Sequence, residues 1–388
     1  MLILLMFSIH RYTYKEINIL QHRSQLTDDM QAAILLLEKG VYPIKYDEVS
    51  ELQLGHSGAT IEIIPQQWGL FDIIHLYGKR SGLTDTLSIL TGDYFPSKDS
   101  ACLYVADHNN YLSITGDTHL EGTCYLPAYG ITKAYVEGIS YSGDTLVFGS
   151  IQTSERNIPK LQNELLKRHE KLFSTSAISS NTIPDSLFVP YVNKETALFY
   201  YPTNAHLSAK YIGGNVIIIC DSTLTILSDA HLDGCIVAAH SIVIEKGFTG
   251  RFQGFSRQSI DVEDGTKLLF PSVLFINGSD NANMRIGLEC FLCGIFIVNG
   301  KNYQTTHLQV GLDTILEGIV YNSGTTELKG DVWGELYTER FLFRSQFNQY
   351  DDFLLNVEIS KPKLSEHFVG INLFNGCTTK PMILCHIN

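Results

Sequence analysis

Positive charge is scarce in this sequence. Its 388 residues include 28 Lys and Arg against 41 Asp and Glu, which gives a formal net charge of −13. No run of basic residues offsets this balance. Binding to nucleic-acid phosphates requires concentrated positive charge. The composition therefore disfavours a nucleic-acid partner.

Recognisable catalytic signatures are also missing. The sequence contains no G-x-S-x-G nucleophile turn, no phosphate-binding loop and no dinucleotide-binding glycine motif. His169 and Glu170 lack the second histidine of an H-E-x-x-H zinc site, so we expect both on a solvated helix face. From the sequence we assign no catalytic residue, no cofactor-binding residue, no metal ligand and no cofactor.

The eight cysteines do not form a disulfide framework or a complete metal motif. They mostly lie in apolar, strand-like runs, at positions 102, 124, 220, 235, 290, 293, 377 and 385. Cys290-x-x-Cys293 has no second ligand pair, which favours packing over metal or redox chemistry. Cys377 and Cys385 flank the terminal segment, and pairing between them stays open for an oxidising compartment.

A long hydrophobic run is absent as well. The apolar residues 1–7, MLILLMF, are too few to cross a bilayer, which takes about 20 residues. Three interpretations compete: the end of a transmembrane helix whose start lies upstream, a short interfacial anchor, or a buried strand. Arg11, Tyr12 and Tyr14 follow directly and suit a membrane interface, so we favour the first.

The dominant pattern is a repeat of a large apolar residue, a polar residue and glycine, followed by a strand-like pair. Its copies place glycine at positions 122, 138, 234, 294, 318 and 330. Glycine within a strand pattern marks a bulge or a corner. Short strands with repeated corners predict an irregular parallel β-helix, or solenoid, with right-handed crossovers as the default.

Two helical segments interrupt the strand pattern. In residues 14–39, Leu26, Met30, Ala33, Ile34 and Leu37 form one apolar stripe, ended by Gly40. Residues 158–173 form a single amphipathic helix, followed by a Ser/Thr-rich linker over 174–186. These features predict an anchor and helical stem (1–40), a first β-rich or solenoid part (41–150), an inserted helix and linker (151–190), the main β-helix (191–343) and a C-terminal cap (344–388).

Some acidic and histidine residues merit attention because parallel β-helices often carry carboxylate-based carbohydrate enzymes. Adjacent acids occur as Asp28-Asp29, expected at a helix start, and Asp351-Asp352, outside the repeats. A ladder of Asp229, Asp233, Asp261, Glu263 and Asp264 is conceivable, but turn acids more often make local hydrogen bonds. His231 and His240 flank a strand, and we interpret them as ordinary core or surface residues.

Several blocks resemble a family of uncharacterised proteins from bacteria of the Bacteroidetes group. They cover residues 68–71, 120–127, 250–255, 269–272 and 332–338. The L-x-G-T-x-Y-L-P and G-x-F-Q-x-F blocks are the most specific, and the resemblance extends from about Trp68 to about Gly370. It implies a single-pass exported protein encoded beside prepilin-like genes, with a complete transmembrane helix ahead of the segment corresponding to residues 14–39. The family supplies no catalytic residues.

Together these observations predict a non-enzymatic cell-envelope protein, anchored by its N-terminus with its bulk outside the cytoplasm. Its solenoid would serve as a structural or interaction module, in a pilin-like assembly, and would contact an envelope protein or a glycan through exposed members of its 20 Tyr and 20 Phe. The alternatives are a carbohydrate-active β-helix lyase or hydrolase and a scaffold that polymerises with itself.

Overall fold

The chain forms two compact units. The computed structural model describes residues 2–41, 49–54, 58–92, 100–174, 183–192, 195–346, 348–375 and 382–387. One unit comprises Met1–Tyr94, Pro190–Lys194 and Thr378–Asn388, and the other comprises Phe95–Val189 and Glu195–Cys377. These units do not follow the segments proposed from the sequence, because the first unit draws on both ends of the chain.

The first unit is a helix with an antiparallel sheet. Its elements are α1 (Leu2–Glu38), β1 (Ser50–Leu54), β2 (Ala59–Trp68), β3 (Phe71–Arg80), β4 (Leu83–Gly92) and the last strand of the chain, β29 (Met382–Ile387). The strands lie in the order β1-β2-β3-β4-β29, and each neighbouring pair is antiparallel. Strands β1 to β4 fall in the segment predicted as a first β-rich or solenoid part (41–150), but they belong to this sheet and not to the solenoid.

Helix α1 packs through the predicted stripe. Leu26, Met30, Ala33, Ile34 and Leu37 are all buried in one apolar cluster with the sheet. The helix ends at the predicted glycine: Gly40 adopts a φ of 65°, and the Val41 amide donates to the Leu36 carbonyl at 3.0 Å. The helix begins at Leu2, and the apolar residues 3–7 are helical and exposed, which excludes the buried-strand interpretation.

The second unit contains the remaining strands and one further helix. Its first strands are β5 (Ala101–Val105), β6 (Leu112–Thr115), β7 (His119–Glu121), β8 (Thr123–Leu126), β9 (Ile131–Lys133), β10 (Tyr135–Val136), β11 (Ile139–Ser140) and β12 (Ile151–Thr153). Helix α2 (Asn163–Ser174) follows, and it begins five residues later than the sequence predicted. Pro159 lies within the predicted helix but precedes the observed one.

The remaining strands follow α2 in chain order. They are β13 (Ser186–Val189), β14 (Ala197–Tyr201), β15 (Ala205–Leu207), β16 (Tyr211–Gly214), β17 (Val216–Ile226), β18 (His231–Ile244), β19 (Thr249–Val262), β20 (Lys267–Asn277), β21 (Asn283–Ile286), β22 (Phe291–Asn299), β23 (His307–Val310), β24 (Ile315–Leu328), β25 (Asp331–Arg344), β26 (Gln349–Asp351), β27 (Phe353–Leu355) and β28 (Glu358–Ser360). They build a parallel β-solenoid of about 11 turns, and the chain as a whole is 54% strand and 14% helix. The predicted fold class is confirmed.

A glycine corner connects successive faces of the coils. Gly294, Gly318 and Gly334 occupy equivalent positions on β22, β24 and β25. A Cβ at Gly318 would lie 1.9 Å from the Gly294 carbonyl oxygen, so no other residue fits there. The repeat assignment was wrong at two copies: Gly330 lies in the turn before β25, where Gly334 takes the corner, and Gly138 lies in the β10–β11 hairpin.

Early strands of the chain extend the stack beyond its last regular coil. Strand β25 pairs in parallel with both β5 and β28, so these two strands from distant parts of the sequence share one coil. Strands β7, β8 and then β12 continue the stack. The C-terminal segment therefore does not cap an open end as predicted: β27 and β28 lie within the stack, and β29 joins the antiparallel sheet.

Candidate functional site

The proposed ladder of acids does not converge on one cleft. Asp233 pairs with Arg251, and Asp261 accepts two hydrogen bonds from Arg285 at 2.8 and 2.9 Å. The other three acids accept local hydrogen bonds. Asp229 accepts one from the Ser208 hydroxyl, Glu263 accepts one from the Lys246 amide, and Asp264 accepts one from the Leu288 amide. These acids hold turns and neighbouring coils together, as turn acids commonly do.

The first pair of adjacent acids is also structural. Asp28 and Asp29 lie well inside α1, and not at a helix start as predicted, because the helix begins at Leu2. Asp29 pairs with Arg80 of β3 at 2.8 Å, and both side chains are largely buried. This ion pair joins α1 to the sheet.

His169 is buried, so the predicted solvated face is wrong for this residue and right only for Glu170. Its Nε2–H donates to the Ser256 carbonyl at 2.9 Å, and its ring packs against Phe173, Phe255 and Phe275. Burial, assisted by the Arg257 charge, lowers the pKa of His169 to about 4. His169 therefore fixes α2 on the outside of β19 and β20 as a neutral residue.

The cysteines behave as packing residues. Cys102, Cys124, Cys220, Cys235, Cys290 and Cys293 are buried and free. Burial raises the pKa of Cys235 and of Cys293 to about 12, and Glu317 adds to the effect at Cys293. These thiols are protonated at neutral pH and are poor nucleophiles. The side chains of Cys377 and Cys385 lie outside the described residues. His231 and His240 are exposed, as a surface assignment predicts.

One group of chemically active side chains does come together, around Glu339 and Arg340 of β25. We define the corner cluster as His108, Asn110, Tyr303, Glu339, Arg340 and Asp352. Glu339 and Arg340 lie within β25, His108 and Asn110 follow β5, and Asp352 lies between β26 and β27. Tyr303 comes from the loop between β22 and β23. Four distant stretches of chain thus meet at one corner of the solenoid.

Contacts within the corner cluster are direct. His108 Nε2 lies 3.2 Å from Glu339 Oε2, and Asn110 donates to Asp352 Oδ2 at 3.2 Å. The rings of His108 and Tyr303 stack with centroids 6.0 Å apart, and the Arg340 guanidinium carbon lies 5.7 Å from the Tyr303 centroid. Tyr303 remains 40% exposed. An exposed aromatic ring beside hydrogen-bonding groups is the arrangement that stacks against a sugar ring.

Asp352 is the most perturbed acid of the corner cluster. It is buried, it adopts a φ of 56° that non-glycine residues seldom take, and burial raises its pKa. Arg340 lies nearby, and its buried Nε has no hydrogen-bond partner among the described residues. A carboxyl that tends to stay protonated can donate a proton or a hydrogen bond. Of this set the sequence drew attention only to Asp352, because the other members lie far apart in the chain.

A second charged group lies at the coil shared by β5 and β28. Lys361 Nζ pairs with Glu335 Oε1, and Ser100 Oγ lies 2.7 Å from each of these atoms. Tyr337 donates to the other Glu335 oxygen at 3.1 Å. Burial lowers the pKa of Lys361, and Glu335 opposes that shift. Every group here contacts another, so the arrangement is that of a structural ion pair.

Aromatic side chains follow one face of the solenoid as a ladder. Tyr321, Tyr337, Tyr104 and Tyr125 occupy matching positions on four successive coils. The first three are buried, and Phe374 packs on Tyr321 and Tyr337. These tyrosines are therefore packing residues, as expected for most aromatic residues of this chain.

Within the described ranges, no three His, Cys, Asp or Glu side chains are grouped as a metal site requires. The described helices include none with the length and sustained apolar character needed to cross a membrane. No protein-family model, curated protein or solved structure matches the chain. The class of protein defined by the fold is a parallel β-solenoid, accompanied by a unit of one helix and an antiparallel sheet.

Proposed function

We propose that this chain is a non-enzymatic structural or interaction module of the cell envelope, attached through α1 and presenting the solenoid as a surface. The observation that supports this proposal is that the acidic side chains on the coils are engaged in ion pairs and local hydrogen bonds. Asp233 and Asp261 are paired with arginines, and Glu263 and Asp264 bind backbone amides. Acids engaged in this way stabilise a surface and are not arranged as an acid–base pair.

Attachment through α1 is supported by the side chains of its first turns. Ile3, Leu4 and Phe7 are 81%, 74% and 71% exposed, although they are apolar. Contiguous exposed apolar side chains mark contacts with a membrane or a protein. Arg11 and Tyr12, which follow, suit a membrane interface. An envelope location with the bulk outside the cytoplasm, and membership of a pilin-like assembly, rest additionally on the family resemblance.

Fractionation of the native host tests the location. We expect the full chain in the membrane fraction, digested by protease added to intact cells. Leu4→Lys combined with Phe7→Lys should release it to a soluble fraction, while Leu312→Lys, a change at an apolar residue of the solenoid that is 56% exposed, should leave it bound. Recovery of the unaltered protein only in the cytosol would refute the envelope proposal.

The corner cluster favours one second candidate, a carbohydrate-active enzyme. Asp352 would act as the proton donor, Glu339 with His108 would assist, and Tyr303 would stack on the sugar. Oligosaccharide release from envelope and plant polysaccharides, measured by mass spectrometry, tests this candidate. Turnover abolished by Asp352→Asn and retained in Asp351→Asn would establish it, and absence of turnover across the panel would leave the interaction role.

A further inference from the structure

At one end of the solenoid, an inward-facing column of core residues ends on a side chain that is exposed to solvent. Leu336, Leu103, Cys124 and Ile151 lie in register on β25, β5, β8 and β12. The first three are fully buried in the core, whereas Ile151 is 52% exposed. Ile151 is thus the last member of an inward-facing column, and burying its side chain would remove apolar surface from water, which is favourable.

The backbone of the same strand is also unpaired on one side. Within the described residues, β12 pairs only with β8. The Ser150 carbonyl accepts a hydrogen bond from the Cys124 amide, and the Ser154 amide donates one to the Leu126 carbonyl. These backbone groups of Ser150 and Ser154 therefore point towards β8. Because successive residues of a strand alternate in direction, the N–H and C=O groups of Ile151 and Thr153 point outward. An edge of this kind is a template for another strand.

Natural edge strands are normally protected by charge, proline or a bulge, and this one is not. Residues 145–154, TLVFGSIQTS, contain no ionisable side chain and no proline. Phe148, next to the edge, is 48% exposed. The chain carries a net charge of −13, so two copies repel each other on the whole, and a contact through this uncharged segment adds no like-charge contact.

We propose that the β12 edge binds the β12 edge of a second copy of this chain, in antiparallel orientation about a two-fold axis at Ile151. In this register the outward backbone groups of Ile151 face those of Ile151 in the second copy. The outward backbone groups of Thr153 face those of Gly149 in the second copy. The two Ile151 side chains lie side by side and cover both core ends. Both copies contribute the same surface to the contact, so the assembly is complete as a dimer and does not grow into a filament.

This inference names a partner for the interaction role proposed above and rests on that role. The two tests are separable, since fractionation reports on α1 and association reports on β12. A protein located in the envelope that remains monomeric would refute the dimer alone. A dimer recovered from the cytosol would refute the envelope location alone.

Sedimentation velocity of the full chain over a wide concentration range tests the association. We expect a concentration-dependent dimer, weakened at least tenfold by Ile151→Lys because a charge is then buried against its own copy. Leu312→Lys is the matched control, since Leu312 has a similar exposure of 56% and lies away from β12. Circular dichroism verifies that both variants remain folded.

Cross-linking tests the two-fold geometry. Directly opposed residues in a hydrogen-bonded antiparallel pair lie about 5.5 Å apart at Cα, within disulfide reach. We therefore expect Ile151→Cys to form a covalent dimer on mild oxidation and Leu312→Cys to form none. A monomer at every concentration, or equal weakening by both lysine variants, overturns the proposal. Association lost in Ile151→Lys without a covalent Ile151→Cys dimer overturns the two-fold pairing.

Discussion

Glu335 and Lys361 form a buried ion pair that connects β25 to the segment following β28. Their side chains are 2% and 7% exposed, and Ser100, which precedes β5, binds both. In the regular coils one continuous stretch of chain forms the coil. In this coil two separate stretches take its place, one that ends after β28 and one that begins before β5. Together with Ser100, the ion pair therefore connects three stretches of chain that are distant in sequence.

Removal of one member of this pair should be strongly destabilising. We expect Lys361→Met to lower the free energy of unfolding by about 3 to 5 kcal/mol, because it leaves the Glu335 charge buried without a counter-ion. Glu335→Gln combined with Lys361→Met should cost less than the single change. Arg285→Met is the control, since the exposed Arg285–Asp261 pair is worth at most about 1 kcal/mol. Urea unfolding measures all four proteins, and equal losses in the single and control variants would contradict the argument.

The glycine corner should tolerate no side chain. Gly318→Ala places a Cβ 1.9 Å from the Gly294 carbonyl oxygen at a φ of 134°, and we expect a loss of about 3 kcal/mol. Gly247→Ala separates the steric effect from the backbone effect. Gly247 has a φ of 77° but nothing within 4 Å of its Cβ position, so its loss should be about 1 kcal/mol. Thermal unfolding compares the two, and similar losses would show that the corner is not sterically closed.

His169 should make stability depend on pH. Its folded pKa of about 4 lies below the ordinary value of 6.5, so the unfolded chain binds a proton first as the pH falls. The contribution of neutral His169 to stability is therefore fully present above about pH 6.5 and is lost as the pH falls to about 4. Relative to His169→Gln, the wild-type protein should lose about 2 kcal/mol between pH 7 and pH 5. The exposed His240→Gln should retain the wild-type profile, and a His169→Gln profile parallel to wild type would refute this role.

Asp352→Asn should increase stability at neutral pH. Burial raises the pKa of Asp352 above its usual value, so the folded state disfavours the charged carboxylate, and that cost is present at pH 7. Asparagine carries no charge, accepts the Phe341 amide and tolerates the φ of 56°. Its amide nitrogen cannot accept the Asn110 hydrogen bond, so the gain is smaller than removal of the charge alone would give. The wild-type protein should approach the variant in stability as the pH falls towards the raised pKa. Denaturant unfolding at pH 7 and pH 5 checks this, and a destabilised variant at pH 7 would contradict it.

Sequence patterns predicted the structure correctly where the environment of a residue is determined by its own helix or strand. The stripe from Leu26 to Leu37 and its end at Gly40 were predictable because helical periodicity and capping act over a few residues. His169 was misassigned because its environment comes from Phe255 and Phe275, far along the chain. The corner cluster was missed for the same reason: Tyr303, Glu339 and His108 share no spacing that a motif search detects.

By itself the sequence determined that the chain winds into short parallel strands, because glycine at a repeated position permits a corner that no side chain allows. The tertiary structure alone decided which coils are neighbours, placing β5 and β28 together in the coil next to β25, followed by β8 and then β12. Backbone hydrogen bonds between parallel strands are the same for any pair, so stacking order follows from side-chain packing across the whole solenoid. The uncovered Ile151 is a consequence of that order.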